Sequence, residues 1–500
     1  MRQSAFALAA LLVLVPGPAS SCAAQDAPPP PVPDDAAYRE AKEAAAKALA
    51  AAAEAGRAAE DAARARRLAL LDAVRAQEEL LAILREQGRE AEIAEGEGRL
   101  RDLYGRIGAS APGVQPRAPA AVPGTVRTPA PPARPFPAAE GLQLLRARPG
   151  AQSEASVIEP ALDWLARHQS PGGNWDGDGF GARCRDGKCP GPGGPLYDPG
   201  VTGLATLAFL GAGETHKTPK HGETVREALE YLKAVQDAEG CFGPRVSGHF
   251  VYNQALGTLV FAEAYGLTQS PLFKDSAQRG VDFILSARNP YMAWRYGVKP
   301  QDNDTSVTTW MVMALKSAKS SGLAVDEDAF RGALAWLDKV TEPEYGRVGY
   351  SARGNGPARP QELMDRFPPD RSESLTAAGV LARTFCGADL RTDESIRKGA
   401  DLCLRTLPRW DEAAGTIDYY YWYFGTLSMF QVGGDHWKRW DAALGEALLP
   451  YQRGDSDGCA RGSWDPVDPW GQDGGRVYST ALGAMMSEVH FRHGRAFGGR

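Results

Sequence analysis

The chain has 500 residues, 43% hydrophobic and 24% charged, an ordinary globular composition with room for about three domain-sized units. Lysine and arginine number 56 against 62 aspartates and glutamates, a net charge of -6, so no excess of positive charge is available to neutralise a phosphate backbone and nucleic-acid binding is not expected. The 56 glycines and 37 prolines point to linkers and many turns.

At the N-terminus, Arg2 precedes an apolar run from Ala5 to Val15, far short of the roughly 20 residues that cross a bilayer, and small residues follow up to Cys22-Ala23-Ala24. This is the pattern of a cleaved secretory signal over residues 1–24. Ser20-Ser21-Cys22 also resembles a bacterial lipoprotein processing site, although Ala19 stands where a larger aliphatic residue is usual. The mature chain is therefore expected outside the cytoplasm, soluble or tethered through a lipid on Cys22.

A proline-rich spacer (25–35) ends at Asp34 and Asp35, which suit the N-cap of a helix. Residues 36–65 contain 17 alanines among charged residues, and Leu70, Val74, Leu81 and Leu84 fall at three- and four-residue steps. Residues 36–108 read as an Ala-rich helical extension, a spacer rather than an oligomerisation coiled coil, though oligomers through it are the alternative. Nine prolines between 111 and 137 stop any helix, so 109–140 is a linker and 141–500 the folded body.

That body repeats. Ala161 to Gln169 leads to Gly173-Asn174-Trp175, Ala228 to Gln236 leads to Gly240-Cys241-Phe242, and Ala333 to Leu337 leads to Gly346 and Gly349-Tyr350. Each is a half-apolar helix closed by a glycine turn with an aromatic. Weaker copies run through Val281 to Leu285, Ala400 to Leu404, and Leu444 to Gln452 with Gly462-Ser463-Trp464. After each copy comes a second helix of small and apolar residues, starting near Val201, Tyr252, Val307, Leu375, Tyr421 and Tyr478. A helix apolar on most sides must be buried, whereas its charged partner can face water. Six buried and six half-exposed helices in alternation are satisfied together by an all-α double ring, a closed toroid.

The elements Gln169 to Trp175, Gln236 to Phe242 and Gln452 to Trp464 resemble the repeat of squalene-hopene cyclases and of the protein prenyltransferase β-subunit, whose fold is an (α/α)6 toroid. The resemblance covers about residues 155–495, and the whole chain is similar to exported bacterial prenyltransferase/squalene-oxidase-repeat proteins. It implies a toroid binding an apolar or isoprenoid-like ligand in its central cavity. Class II cyclases of this group protonate an alkene with the middle Asp of an Asp-x-Asp-Asp-Thr-Ala element. Here the stretch is Gln301-Asp302-Asn303-Asp304-Thr305-Ser306, so with Thr305 aligned an amide, Asn303, stands at the acid position and cannot supply the proton. Asp302 and Asp304 remain the catalytic candidates, with helix capping by Asp304, Thr305 or Ser306 the plainer alternative. Prenyltransferases hold zinc through an Asp, a nearby Cys and a distant His; Cys403 lies in an outer-type helix, and no metal or cofactor is expected.

In a toroid the inner-helix starts open on one face. His249, Tyr252, Asn253 and Trp310 should therefore converge on one mouth with Glu373, Asp418, Tyr420, Trp422 and Tyr478, a small-molecule or lipid-like ligand site. Paired carboxylates such as Asp304 and Asp418 would also suit glycan cleavage. A carbohydrate-active toroid and a non-enzymatic platform thus stand beside the isoprenoid reading: a dry aromatic cavity favours the isoprenoid, an open acidic groove the glycan, a filled barrel the platform.

Six cysteines follow the signal, at 184, 189, 241, 386, 403 and 459. Cys184 and Cys189 are close enough to bridge one loop, and a disulfide is preferred over half of a zinc site because no second close Cys or His pair is in view. Cys241 with Cys459 and Cys386 with Cys403 are weaker pairings. Asn174, Asp176, Asp178 and Gly179 mimic the opening of a calcium loop, but the twelfth position is Arg185, so a polar turn is expected.

Overall fold

The computed structural model describes Arg89, Arg99 and residues 152–490, apart from 187, 188, 246, 247, 358 and 360. The secretory signal, Cys22, the proline-rich spacer, the linker and the Ala-rich helical extension lie outside the described residues, Arg89 and Arg99 aside. Among the described residues no helix is long and apolar enough to cross a membrane.

Among the described residues twelve α-helices alternate between two roles. The outer set is α1 (Gln152–Arg167), α3 (Gly222–Ala234), α5 (Pro271–Ala287), α7 (Glu327–Val340), α9 (Glu394–Cys403) and α11 (Gly434–Leu448). The inner set is α2 (Asp198–Gly211), α4 (Phe250–Thr268), α6 (Thr305–Ser320), α8 (Ser374–Phe385), α10 (Tyr419–Val432) and α12 (Gly471–Ser487). Outer helices bury one stripe: in α3 it is Val225, Ala228, Leu229 and Leu232, with Glu223, Glu227 and Glu230 off it. Inner helices are buried all round, as α2 is at every position after Asp198.

Each inner helix packs on the next, α2 on α4 and so on to α10 on α12, and α12 packs back on α2. The ring is closed, and α1 lies against α12, so the first outer helix belongs to the last repeat. The expected (α/α)6 toroid is therefore present, carried by these contacts. Among the described residues the β-structure amounts to two isolated bridges, Gln236 with Phe242 and Thr341 with Val348.

The glutamine turns join neighbouring outer helices. Gln169 Nε2 donates to the Gly173 carbonyl at 2.8 Å and to Thr224 of α3 at 2.9 Å. Gln236 does the same to Gly240 and to Ser276 of α5, and Gln452 to Gly462 and to Val157 of α1. At the turn itself Gly173 has φ +86°, and a Cβ there would meet the Glu227 carbonyl at 2.3 Å, so only glycine lets the turn press against α3. The turn tryptophans anchor the other side: the indoles of Trp175, Trp294 and Trp464 donate to the carbonyls of Leu165, Ile284 and Leu448, in the last turns of α1, α5 and α11. These bonds satisfy carbonyls that a helix end leaves open.

Candidate functional site

The inner helices all begin at one mouth, and two of them are capped by aspartates. Asp304 Oδ1 accepts the Val307 amide at 2.8 Å, and Asp418 Oδ1 accepts the Tyr421 amide at 2.9 Å. Just inside the mouth the lumen is bridged. The Ser306 hydroxyl lies 3.0 Å from the Tyr252 hydroxyl and 2.8 Å from that of Tyr420, so a chain of three hydroxyls links α4 to α10, opposite members of the ring. One turn deeper Trp310 stacks on Tyr423, with centroids 5.7 Å apart, and meets Phe424 edge-on. All three rings are buried, so this level of the barrel is filled with side chains.

Above the bridge the rings carry hydroxyls. Tyr296 donates to or accepts from Tyr350 at 2.8 Å, packs on Tyr252, and receives the exposed His249 edge-on at 4.4 Å. Arg295 lies over both Tyr296 and Tyr350. On the other side Tyr420 packs against Trp470.

Two carboxyls beneath these rings are unusual. Asp304 Oδ2 is buried without a hydrogen-bond partner, and burial pushes its carboxyl up to about 7. Burial raises the hydroxyls of Tyr252, Tyr350 and Tyr420, and the Asp304 charge acts in the same direction. Asp468, in the lead-in to α12, accepts the Tyr419 amide at 3.2 Å and the Tyr478 hydroxyl at 3.1 Å on Oδ2, while Oδ1 has no hydrogen-bond partner. Burial, and then the nearby Asp418 charge, push it up to about 8. Asp418 itself is ionically held: its Oδ2 accepts the Ser372 hydroxyl at 2.8 Å and the Arg359 guanidinium.

The raised carboxyl of Asp468 has a consequence for stability. Unfolded, it would titrate near about 4. Between there and about 8 the native chain holds more protons than the unfolded one, so stability falls as pH rises through that window. Asp468→Asn keeps an acceptor for Tyr478 and removes the titration. The variant should match the wild type near pH 4 and gain on it by up to a few kcal/mol above pH 8. Urea melts at the two pH values read this out; an equal difference at both would mean that Asp468 is not neutral in the fold.

Several expected site residues lie elsewhere. Asp302 is exposed and pairs with Arg295 at 3.1 Å, because one step along the chain from the Asn303 and Asp304 pair turns its side chain to solvent. Glu373 binds Arg347 Nε at 3.1 Å and the Thr376 hydroxyl at 2.8 Å, and its charge reaches Cys403 of α9, so it faces the outer shell. Trp422 is buried against Trp410 and Tyr419 in that same shell. Asn253 donates to the Leu196 carbonyl at 3.3 Å. Asp401 and Cys403 do have Asp-x-Cys spacing, but Asp401 pairs with His436 at 2.8 Å whereas Cys403 is buried under Tyr421. Asp176 and Asp198 accept the amides of Gly179 and Gly177, as a polar turn requires.

The structure holds Cys184 and Cys189 as thiols, as it does Cys241, Cys386, Cys403 and Cys459. The Cys184 and Cys189 sulfurs lie within 4.8 Å of each other, of Cys459 Sγ and of a ring nitrogen of His168.

Sequence reasoning missed Asp468, Ser306, Arg359, Tyr296 and Tyr350. The signal for Asp468 was present, since it precedes its inner helix as Asp304 and Asp418 precede theirs.

No protein-family model matches the chain, and no curated protein matches it. Among solved structures it is similar to an inactive variant of an α-1,6-mannanase of Salegentibacter sp. (12% identity, 67% of this chain and 98% of that one, TM-score 0.45). It is similar to a type II terpene cyclase from Scytonema (14%, 69% and 98%, 0.45) and to a cellobiose 2-epimerase from Bacillus thermoamylovorans (12%, 70% and 99%, 0.47). These likenesses do not choose among activities.

Proposed function

We propose that the mouth of the toroid binds a polyhydroxylated small molecule of carbohydrate character. The observation that carries this reading is the Tyr252–Ser306–Tyr420 bridge above the Trp310, Tyr423 and Phe424 layer. An extended isoprenoid chain needs the lumen those side chains occupy, whereas a ligand seated above the bridge meets tyrosine hydroxyls, Arg295 and the Trp470 face. Aromatic faces with hydrogen-bonding tips suit a sugar ring better than a hydrocarbon. Asp304, with one oxygen unused and a carboxyl titrating near neutrality, is the group we assign to proton transfer on that ligand, since both of its forms coexist at neutral pH. Asp302, held by Arg295 in solvent, takes no such part.

The test is calorimetric titration of the full chain with an oligosaccharide panel and, in detergent, with farnesyl and geranylgeranyl alcohols. Saccharide binding should appear, and Tyr420→Ala should weaken it about tenfold through loss of ring contact. Binding of the isoprenoid alcohols with no saccharide response would overturn the proposal.

A further inference from the structure

Outside that site, four side chains from three separate stretches of the chain meet. His168 follows the last turn of α1; Cys184 and Cys189 flank the next loop, after the 3-10 turn Phe180–Arg183; Cys459 comes from the 3-10 turn Asp455–Ala460 between α11 and α12. Their one nitrogen and three sulfurs all lie within 4.8 Å of one another. His168 Nε2 is 3.5 Å from Cys189 Sγ and 3.4 Å from Cys459 Sγ. In a tetrahedral zinc site with Zn–S of about 2.3 Å and Zn–N of about 2.0–2.1 Å, nitrogen and sulfur stand about 3.6 Å apart. Cys189 and Cys459 already stand at that spacing from the imidazole.

The histidine is set up for such a role. Its Nδ1–H donates to the Trp164 carbonyl at 2.9 Å, which fixes the tautomer and leaves the Nε2 lone pair facing the sulfurs. The ring is buried, stacks on Trp164 with centroids 4.2 Å apart, and meets Phe180 edge-on. Arg167, Arg183 and Arg476 are close enough for their charges to act on His168. Three thiolates and one dication carry a net charge of minus one, which those guanidiniums offset. A disulfide between any two of the sulfurs would leave the third thiol and the imidazole converging on nothing.

We infer that His168, Cys184, Cys189 and Cys459 form a closed Cys3His site for a soft divalent metal ion, zinc by ligand type, which joins the first repeat of the ring to the last. All four positions are filled by protein, so the ion has a structural role and no open position for substrate. Binding is balanced by release of the thiol protons: each Cys S–H gives its proton to solvent as its sulfur bonds the metal, and nothing is oxidised.

The experiment uses the full chain, purified with reductant and without added chelator. Elemental analysis should find one zinc per chain, and exchange for cobalt should give thiolate charge-transfer absorption together with the intense d–d bands of a tetrahedral ion. Cys459→Ser should lose the metal signal. If that variant fails to fold, thiol labelling of the wild type decides: Cys184, Cys189 and Cys459 should resist alkylation until a chelator is added. Metal-free protein with these thiols freely alkylated, or a Cys184–Cys189 disulfide in non-reducing peptide maps, would overturn the inference.

Discussion

Truncating Asp418 to alanine should cost the toroid about 3–5 kcal/mol, the expected penalty for stripping one partner from a buried ion pair. The pair is enclosed: the side chains of Arg359 and Asp418 are 2% and 3% exposed. Arg359 also lies over the Trp470 ring, so without Asp418 its charge would stay in a poorly solvated pocket between aromatic faces. Asp418 caps α10 as well, and losing the bond to the Tyr421 amide adds about 1 kcal/mol. Truncation removes the carboxylate that faces Arg359 while its charge stays buried, so Arg359→Met combined with Asp418→Leu should recover a large part of the loss. Urea unfolding of the two single variants and the double variant forms the cycle. A loss below about 1 kcal/mol for Asp418→Ala would mean that Arg359 finds water or another anion, and that the pair is not dry.

Trp464→Ala should be about as damaging, at about 3–5 kcal/mol. The indole is fully buried, and its ring presses so closely on α12 that a Cβ on Gly483 would come within 2.7 Å of it. Neither side can relax into the space without unstacking an inner helix, so a cavity remains. The substitution also strips a donor from the Leu448 carbonyl. Trp464→Phe separates the two contributions: it keeps most of the ring and loses the N–H, and should cost about 1–3 kcal/mol. Unfolding midpoints in urea, with unchanged m-values, would measure both. Equal losses for the two variants would assign the whole effect to the hydrogen bond.

The fold was legible because the two helix classes differ in what burial demands of them. Charge interrupts α3 and α7 along one side, whereas α2 carries none after Asp198 and α4 only Glu263, so alternation could be read directly. That same property hid the site. A helix apolar on all sides does not declare which of its faces looks into the lumen, and Glu373 and Trp422 were assigned to the mouth although both face the outer shell. Asp468 was lost to a boundary: Gly475, at φ +64°, breaks the first turn of α12 from the rest, so the helical pattern becomes evident only near Tyr478. The Cys3His cluster had no sequence signature beyond Cys184 and Cys189, since Cys459 lies 291 residues from His168 and only closure of the ring brings them together.

That closure has a kinetic cost. The apolar stripe of α1, with Ile158, Ala161, Leu162 and Leu165, is buried against a helix formed by residues 471–487, which is synthesised long after it. In an open repeat array each unit packs on its predecessor as it emerges, and specialised end caps cover what is left. A ring needs no caps, but its opening helix must wait for the twelfth helix before its main partner exists. Until then its apolar side is exposed, and it is the part of the molecule that an incomplete or stalled chain presents to chaperones, proteases and other copies of itself.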